Sequence, residues 1–582
     1  MAQIRREAIT DIGDSLKGSI FDNITSKTQV PTAKDGINIY GNTRVNPSTQ
    51  VGKGVSLDGS DTRIQLTSRD FDVCEFSNSY LHLKVNLDIQ ISSSVDLLNY
   101  ITDNTIAASQ CIFVGLKGSN QIIDMYNLEF NNVPIDSTKQ NEGVIEGYML
   151  HCQKAKCQLE NKNHSVSTWK EVNEMDNSMC GVYIPISEIV LTTSGTSKTI
   201  SKTLNLIIPF RDIYALQAFD EYPNGIFGLL GLVARFTTKG FVWAEVNPVF
   251  SASKYARERN ISDVNDEPLK SVVGSFNPEG LAYERCFHQV GTSGTVQFVE
   301  GAGPSKTDAN ATFTVSITGS ELTECWADIR GYRMSEECKK LLIDYFSNPE
   351  NPFVIPSQKI YKRQFQNSGG TSGNVDTTLN ARFPYITDLA ILHPVASNIY
   401  TCYQNITAEN YKLRVGRHEF PHQNNMKTWG PEFYQTMIMN TDFDDIWVCP
   451  DAYEWSITDA MCNKTEENDN GTPNQTIYAP VDNTDFVPIF QCQRDNGGVA
   501  TWFDGINSLY ETAELKYNLY GMAYTPYGKA VSAGAAPSPY LIMNSQTFWL
   551  FRLVDGEANC QYLTDGDFKK GYENPALNNA QL

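Results

Sequence analysis

A chain of 582 residues is longer than one hydrophobic core can organise and fits roughly two to four domains. Its 41% hydrophobic and 11% aromatic content excludes a disordered chain. A formal net charge of -21 excludes a bulk surface that grips nucleic-acid phosphate regardless of sequence, because such a grip needs Lys and Arg to displace counterions.

Residues 2–24 set Ile4, Ala8, Ile9, Ile12, Leu16, Ile20 and Phe21 among charges, the spacing of a loosely amphipathic helix that Gly13 and Gly18 weaken. So short a helix is marginal alone and is expected to pack on a partner. Residues 25–60, rich in Thr, Gly, Asn and Pro, read as an extended arm. The first strong strand runs from Tyr80 to Ile91, where Leu81, Leu83, Val85, Leu87, Ile89 and Ile91 alternate with polar residues. From Thr203 the chain reads as a strand passing into a short helix, followed by a turn at Y-P-N-G, 222–225. Ile226–Phe236 and Phe241–Val246, joined by T-T-K-G, are expected to form a closing hairpin.

Residues 250–285 turn to charge and lose periodicity, the signature of a linker. The second half is expected to open with strands at Thr312–Ile317 and Cys325–Tyr332 and a helix capped by Ser335. Strands follow at Val354–Gln364 and Ala381–Val395, then a polar surface loop at 440–480 and a hairpin around Asp555-Gly556.

One unit occurs twice. Tyr126-Leu128-Phe130 and Tyr411-Leu413-Val415 alternate as strands, Asn131-Asn132 and Gly416 supply left-handed turn positions, and Pro134 and Pro421, which cannot donate to a ladder, are expected to stop the pairing. Helical spacing comes next, with Val144, Ile145, Tyr148, Met149 and Cys152 in one copy and Phe433, Tyr434, Met437 and Ile438 in the other. The repeat points to duplication, and the abundance of strands to two β-sandwiches.

No constellation argues for catalysis. His418 and His422 stand at i, i+4, but Pro421 disrupts the helix that would aim both at one metal. Cys152 and Cys157 lack knuckle spacing, and Asp442, Asp444 and Asp445 lack the order of a calcium loop. No nucleophile elbow or phosphate loop is present, and no cofactor is expected. The 13 scattered cysteines read as free, mostly buried thiols. No apolar run approaches the roughly 20 residues of a membrane span, and a signal-peptide core is missing, so the chain is expected to stay inside a cell or leave by lysis. The sequons at Asn23, Asn163, Asn260, Asn310, Asn405, Asn463 and Asn474 then read as incidental.

The segments D-F-D-V-C-E-F-S-N-S-Y-L-H-L-K-V-N-L and L-N-L-I-I-P-F-R-D-I-Y-A-L, with the arm, the linker and the Y-x-L-x-V unit, resemble the double jelly-roll major capsid proteins of the virophage, polinton and adenovirus-like lineage. The resemblance implies an all-β fold of two tandem eight-stranded jelly rolls. Its layout would be an arm at 1–60, a first jelly roll at 61–250, a linker at 251–285, a second jelly roll at 286–565 and a tail at 566–582. It further implies a non-enzymatic subunit that trimerises into pseudo-hexagonal capsomers of an icosahedral shell around DNA, located in the virion. Minor capsid, cement and penton proteins would be its partners, without sequence-specific binding of nucleic acid. The arm residues Ile4, Ile9, Ile12, Leu16, Ile20 and Phe21 would then serve assembly, against a neighbouring capsomer, a minor protein or an inner membrane. Two other readings stay open on the residues alone: a lectin-like carbohydrate-binding spike or adhesin, and a β-sandwich glycoside hydrolase.

Overall fold

The computed structural model describes residues 39–46, 56–93, 111–153, 180–185, 188, 197–217, 219–246, 288–289, 296–299, 312–334, 336–348, 352–365, 374–380, 386–394, 400–401, 403, 408–421, 426–428, 432–433, 487–492, 506, 512–519, 538–554 and 556–564. Strands dominate. A first set comprises β1 (Ile39–Val45), β2 (Asp61–Gln65), β3 (Val73–Ser93), β4 (Cys111–Gly115), β5 (Ile123–Phe130), β6 (Val133–Ser137), β7 (Gly181–Pro185), β8 (Ser197–Pro209), β9 (Glu221–Tyr222), β10 (Leu230–Phe236), β11 (Val242–Val246), β12 (His288–Gln289), β13 (Val296–Val299) and β14 (Thr312–Arg333). Helices α1 (Glu142–Gln153) and α2 (Asn224–Phe227) interrupt it, and α3 (Glu336–Phe346) follows it. The second set is β15 (Phe353–Gln364), β16 (Asn374–Leu379), β17 (Ile386–Leu392), β18 (Ala408–Val415), β19 (His418–Phe420), β20 (Ile489–Gln491), β21 (Ala513–Leu519), β22 (Tyr540–Val554) and β23 (Glu557–Thr564).

The two sets share one topology. In the first, the sheets run β1-β14-β3-β8 and β2-β10-β5-β6; in the second they run β15-β22-β17-β20 and β16-β21-β18-β19. With β1, β2, β3, β5, β6, β8, β10 and β14 counted as eight principal strands, the first pair of sheets reads 1-8-3-6 and 2-7-4-5. The second pair, counted from β15 to β22, reads the same. This is the strand order of an eight-stranded jelly roll, present twice. The repeated unit falls on equivalent strands, since β5 and β18 are each fourth and each turns back into a short fifth strand. The turn residues adopt the left-handed backbone that their types favour, at φ of 48° for Asn131, 69° for Asn132 and 58° for Gly416. Pro134 does not end pairing, however, but lies inside β6 opposite Glu129, beside a register shift.

Three expectations are corrected by the pairing. Residues 312–333 form one strand, not two, and β14 runs antiparallel between β1 and β3 as the eighth strand of the first jelly roll. Bulges at Ile317/Gly319, Leu322/Glu324 and Asp328/Arg330 break its alternation, which is why it reads as two pieces. The first jelly roll thus extends to Arg333, and the second spans Phe353–Thr564 rather than 286–565. The stretch 251–285, outside the described residues, precedes the strand that completes the first jelly roll and does not separate the two. Finally, β10 and β11 do not pair with each other: β10 lies between β2 and β5, β11 between β12 and β4. The T-T-K-G turn is held by Asp58, whose carboxylate accepts from Thr237 Oγ1 at 2.8 Å and from the Thr238 amide at 3.0 Å. A Cβ on Gly240 would lie 2.2 Å from the Gln121 carbonyl oxygen, so the chain passes too close for any side chain.

Successive principal strands alternate in direction, so odd-numbered connections emerge at one end and even-numbered ones at the other. At the first end β4, β7, β11 and β12 come from the third, fifth and seventh connections and join in a sheet of their own, β12-β11-β4-β7. At the opposite end the chain enters at Ile39, paired with Arg333, and passes through α3 into β15. The expected helix after Ser335 is this α3; Ser335 itself lies outside the described residues.

Candidate functional site, the seam between the jelly rolls

Each jelly roll completes the core of the other. Helix α1 is apolar on most of its surface, and its Ile145, Tyr148, Met149 and Leu150, with Tyr214, are buried in one cluster with Leu389, Leu413, Phe490 and Met543 of the second jelly roll. In the reverse direction Phe353 and Ile355 of β15 and Trp549 and Phe551 of β22 belong to the core of the first. Phe551 is the hub of that packing. Its ring lies 5.6 Å from Phe130, 5.4 Å from Tyr222, 5.6 Å from Phe227 and 6.1 Å from Phe353, centroid to centroid. Helix α3 closes the cluster with Leu342 and Phe346, and Lys339 anchors it to Asp72 at 2.9 Å.

Polar groups in the seam form a linked network around Asn544. The Tyr214 hydroxyl donates to Asn544 Oδ1 at 2.9 Å, and Asn544 Nδ2 donates to Gln358 Oε1 at 2.9 Å and to Asp388 Oδ2 at 3.2 Å. Burial pushes the Asp388 carboxyl up, against the hydrogen bonds from Thr387 and Asn544 that favour its charge. Lys359 of β15 forms an ion pair with Asp136 of β6, both largely buried, tying second to first. Beneath them the Tyr126 hydroxyl donates to Glu146 Oε2 at 2.8 Å and accepts from the Ala215 amide at 3.3 Å. Burial pushes the Glu146 carboxyl up to about 8, so it is protonated at neutral pH.

The arrangement joins the two jelly rolls through one continuous set of buried contacts. Glu146, Tyr126 and Asp388 have the perturbed acidities that can mark a catalytic site, but each is buried within packing that fixes it in place. On the outer face of the first jelly roll a polar groove of about 500 Å³ is lined by Asn86, Asp88, Ser201, Thr203 and Glu321. Its floor is internally bonded, Ser201 to Asp88 at 2.5 Å and Thr203 to Asn86 at 2.8 Å.

The arm residues Ile4, Ile9, Ile12, Leu16, Ile20 and Phe21 lie outside the described residues, as do His422, Cys157, Asp442, Asp444 and Asp445. His418 is exposed at the start of β19. Among the described residues no group of three or more His, Cys, Asp or Glu is placed to hold a metal, and no helix is long and apolar enough to cross a membrane. Cys74 and Cys325 are buried free thiols, pushed up to about 12 by burial. The seam residues were missed by sequence reasoning. One signal could have found Glu146, a lone carboxylate inside the apolar run V-I-E-G-Y-M-L.

No protein-family model matches the chain, and no curated protein does. Solved structures do. The Sputnik virophage structure at 3.5 Å by cryo-EM is similar over 92% of this chain and 89% of its own, with 10% identity and a TM-score of 0.44. The mavirus major capsid protein is similar over 93% of each chain, with 9% identity and a TM-score of 0.43. The Faustovirus major capsid protein is similar over 94% of this chain and 97% of its own, with 8% identity and a TM-score of 0.41.

Proposed function

We propose that this protein is the major capsid protein of an icosahedral DNA virus, a structural and non-enzymatic subunit located in the virion. The observation that carries the reading is the double occurrence of the 1-8-3-6 and 2-7-4-5 strand order within one chain, locked by a shared core. Two equivalent sandwiches per chain make six in a trimer, which gives a pseudo-hexagonal tile from three identical chains. Jelly rolls limit exposed strand edges, and connections gathered at one end leave the sandwich walls free to pack side by side. Minor capsid, cement and penton proteins are the expected partners. The arm residues Ile4, Ile9, Ile12, Leu16, Ile20 and Phe21 serve assembly more than folding in this reading.

Native mass spectrometry at micromolar concentration tests it. A species at three times 65.0 kDa is expected, with subunit interfaces above roughly 2,000 Å². A chain that stays monomeric, and forms no hexagonal particles in negative stain, overturns the reading.

A further inference from the structure

Arg552 stands on β22, in a hairpin whose other strand, β23, pairs with no further strand among the described residues. Side chains alternate along β22, so Phe551 and Leu553 join the aromatic core of the first jelly roll while Arg552 and Val554 turn to the opposite face. On that face Leu550 and Val354, opposite each other in register, are buried and wall the arginine on one side, and Val554, 51% exposed, borders it on the other. The guanidinium is half-buried and has no acceptor. Its Nε is shut off from water without a hydrogen bond, and among the described residues no carboxylate pairs with it. Neither diagonal neighbour on β23 serves it, since Gln561 leaves its own Oε1 buried and unbonded and Glu557 makes no ion pair. Burial lowers the pKa of the guanidinium, with no neighbouring charge to oppose it. A buried donor on an unpaired cation is costly, and a planar fork of five N–H groups is shaped for a carboxylate.

A second copy of the chain brings that group. With 67 Asp and Glu against 46 Lys and Arg, each copy meets the next with carboxylates in excess. The cations of the sheet faces do not answer them, because Lys84, Arg235, Lys412 and Lys516 are already paired with carboxylates of their own chain. We propose that Arg552 receives a carboxylate of a second copy of this chain. Asn559, exposed and directly opposite Arg552 on β23, donates to the same group, and Val554 forms an apolar rim beside it. The edge position of β23 leaves the site open to that copy. The assignment rests on the capsid reading for the presence of a second copy, and adds a point at which the copies hold each other.

Subunit mixing is the test, with isotope-labelled and unlabelled full chains combined and followed by native mass spectrometry. Arg552→Met should speed mixing at least roughly ten-fold, because it leaves a carboxylate across the interface without its partner. Arg552→Lys keeps the charge but loses the fork, and should mix at a rate between the two. Should Arg552→Met fail to fold, Arg552→Gln makes the same demand. Mixing at the wild-type rate in the folded variant overturns the proposal and leaves the capsid reading standing, whereas a wild type that forms no oligomer overturns both. Mixing that Glu557→Gln speeds as much as Arg552→Met does makes Glu557 the partner within the chain, and overturns the proposal. Unchanged mixing in Arg552→Met, together with loss of a thermal stabilisation that inorganic phosphate gives the wild type, assigns the guanidinium to a free anion instead.

Discussion

The two jelly rolls place a tyrosine at the same point of the fourth strand and satisfy it with opposite chemistry. In the first, the Tyr126 hydroxyl meets the Glu146 carboxyl from α1; in the second, the Tyr411 hydroxyl lies 3.0 Å from His393 Nε2, just past the end of β17. Both partners are buried and both are neutral at pH 7, because burial lifts Glu146 to about 8 and lowers His393 to about 3. The two pairs therefore lose their contribution to stability in opposite directions of pH. The strand order and the tyrosine recur in both halves, while the group facing the tyrosine differs.

The strongest challenge to treating the jelly rolls as separable is Phe551→Ala. Loss of a buried ring contacted from both halves should cost about 3–5 kcal/mol and lower one common melting transition, read by calorimetry. Two transitions, with only one of them shifted, would show that the cores are independent.

The pH contrast is sharpened by Glu146→Gln. A carboxyl whose folded value lies above its ordinary value of 4.5 contributes stability that is fully present below pH 4.5 and is withdrawn as pH rises toward about 8. The wild type should thus lose several degrees of melting temperature between about pH 5 and 8 from this group, and Glu146→Gln should flatten that slope. An unchanged slope would place the ionisation elsewhere. His393→Gln is the mirror experiment. Its folded value lies below the ordinary 6.5, so its contribution is present above pH 6.5 and lost as pH falls toward about 3. The variant should resist acid better than the wild type between those limits, by the same thermal measurement.

A smaller effect separates seam from surface. Lys359→Met breaks the ion pair with largely buried Asp136 and should cost about 1–3 kcal/mol, since it leaves a carboxylate without its partner. Lys84→Ala removes an exposed pair with Glu324 on a sheet face and should cost under about 1 kcal/mol. Equal costs in denaturant titrations would deny the seam its special status.

Much of this fold was legible because it is locally written. β3 alternates strictly from Leu81 to Ile91, and Tyr126-Leu128 and Tyr411-Leu413 mark equivalent strands by their own period and turns. What failed was non-local. β14 pairs with β3 across more than two hundred residues of chain, and its three bulges erase the alternation that would have announced one strand. The T-T-K-G turn has hairpin chemistry, but Asp58 and Gln121 decide where it goes. The seam was least legible of all, since Tyr214 meets Asn544 at a separation of 330 residues and nothing local marks either.

The position of β14 also sets the timing of synthesis. The first jelly roll opens at Ile39 but cannot close until Arg333 has been made. At about 5–20 residues per second, those roughly 290 residues keep its apolar sheet faces waiting for something like 15–60 s. The hub of its aromatic core, Phe551, arrives later still, near the end of β22. The nascent chain therefore spends most of translation as an incomplete sandwich with open edges, and a cell that makes it in quantity must shield those edges until the last strand emerges.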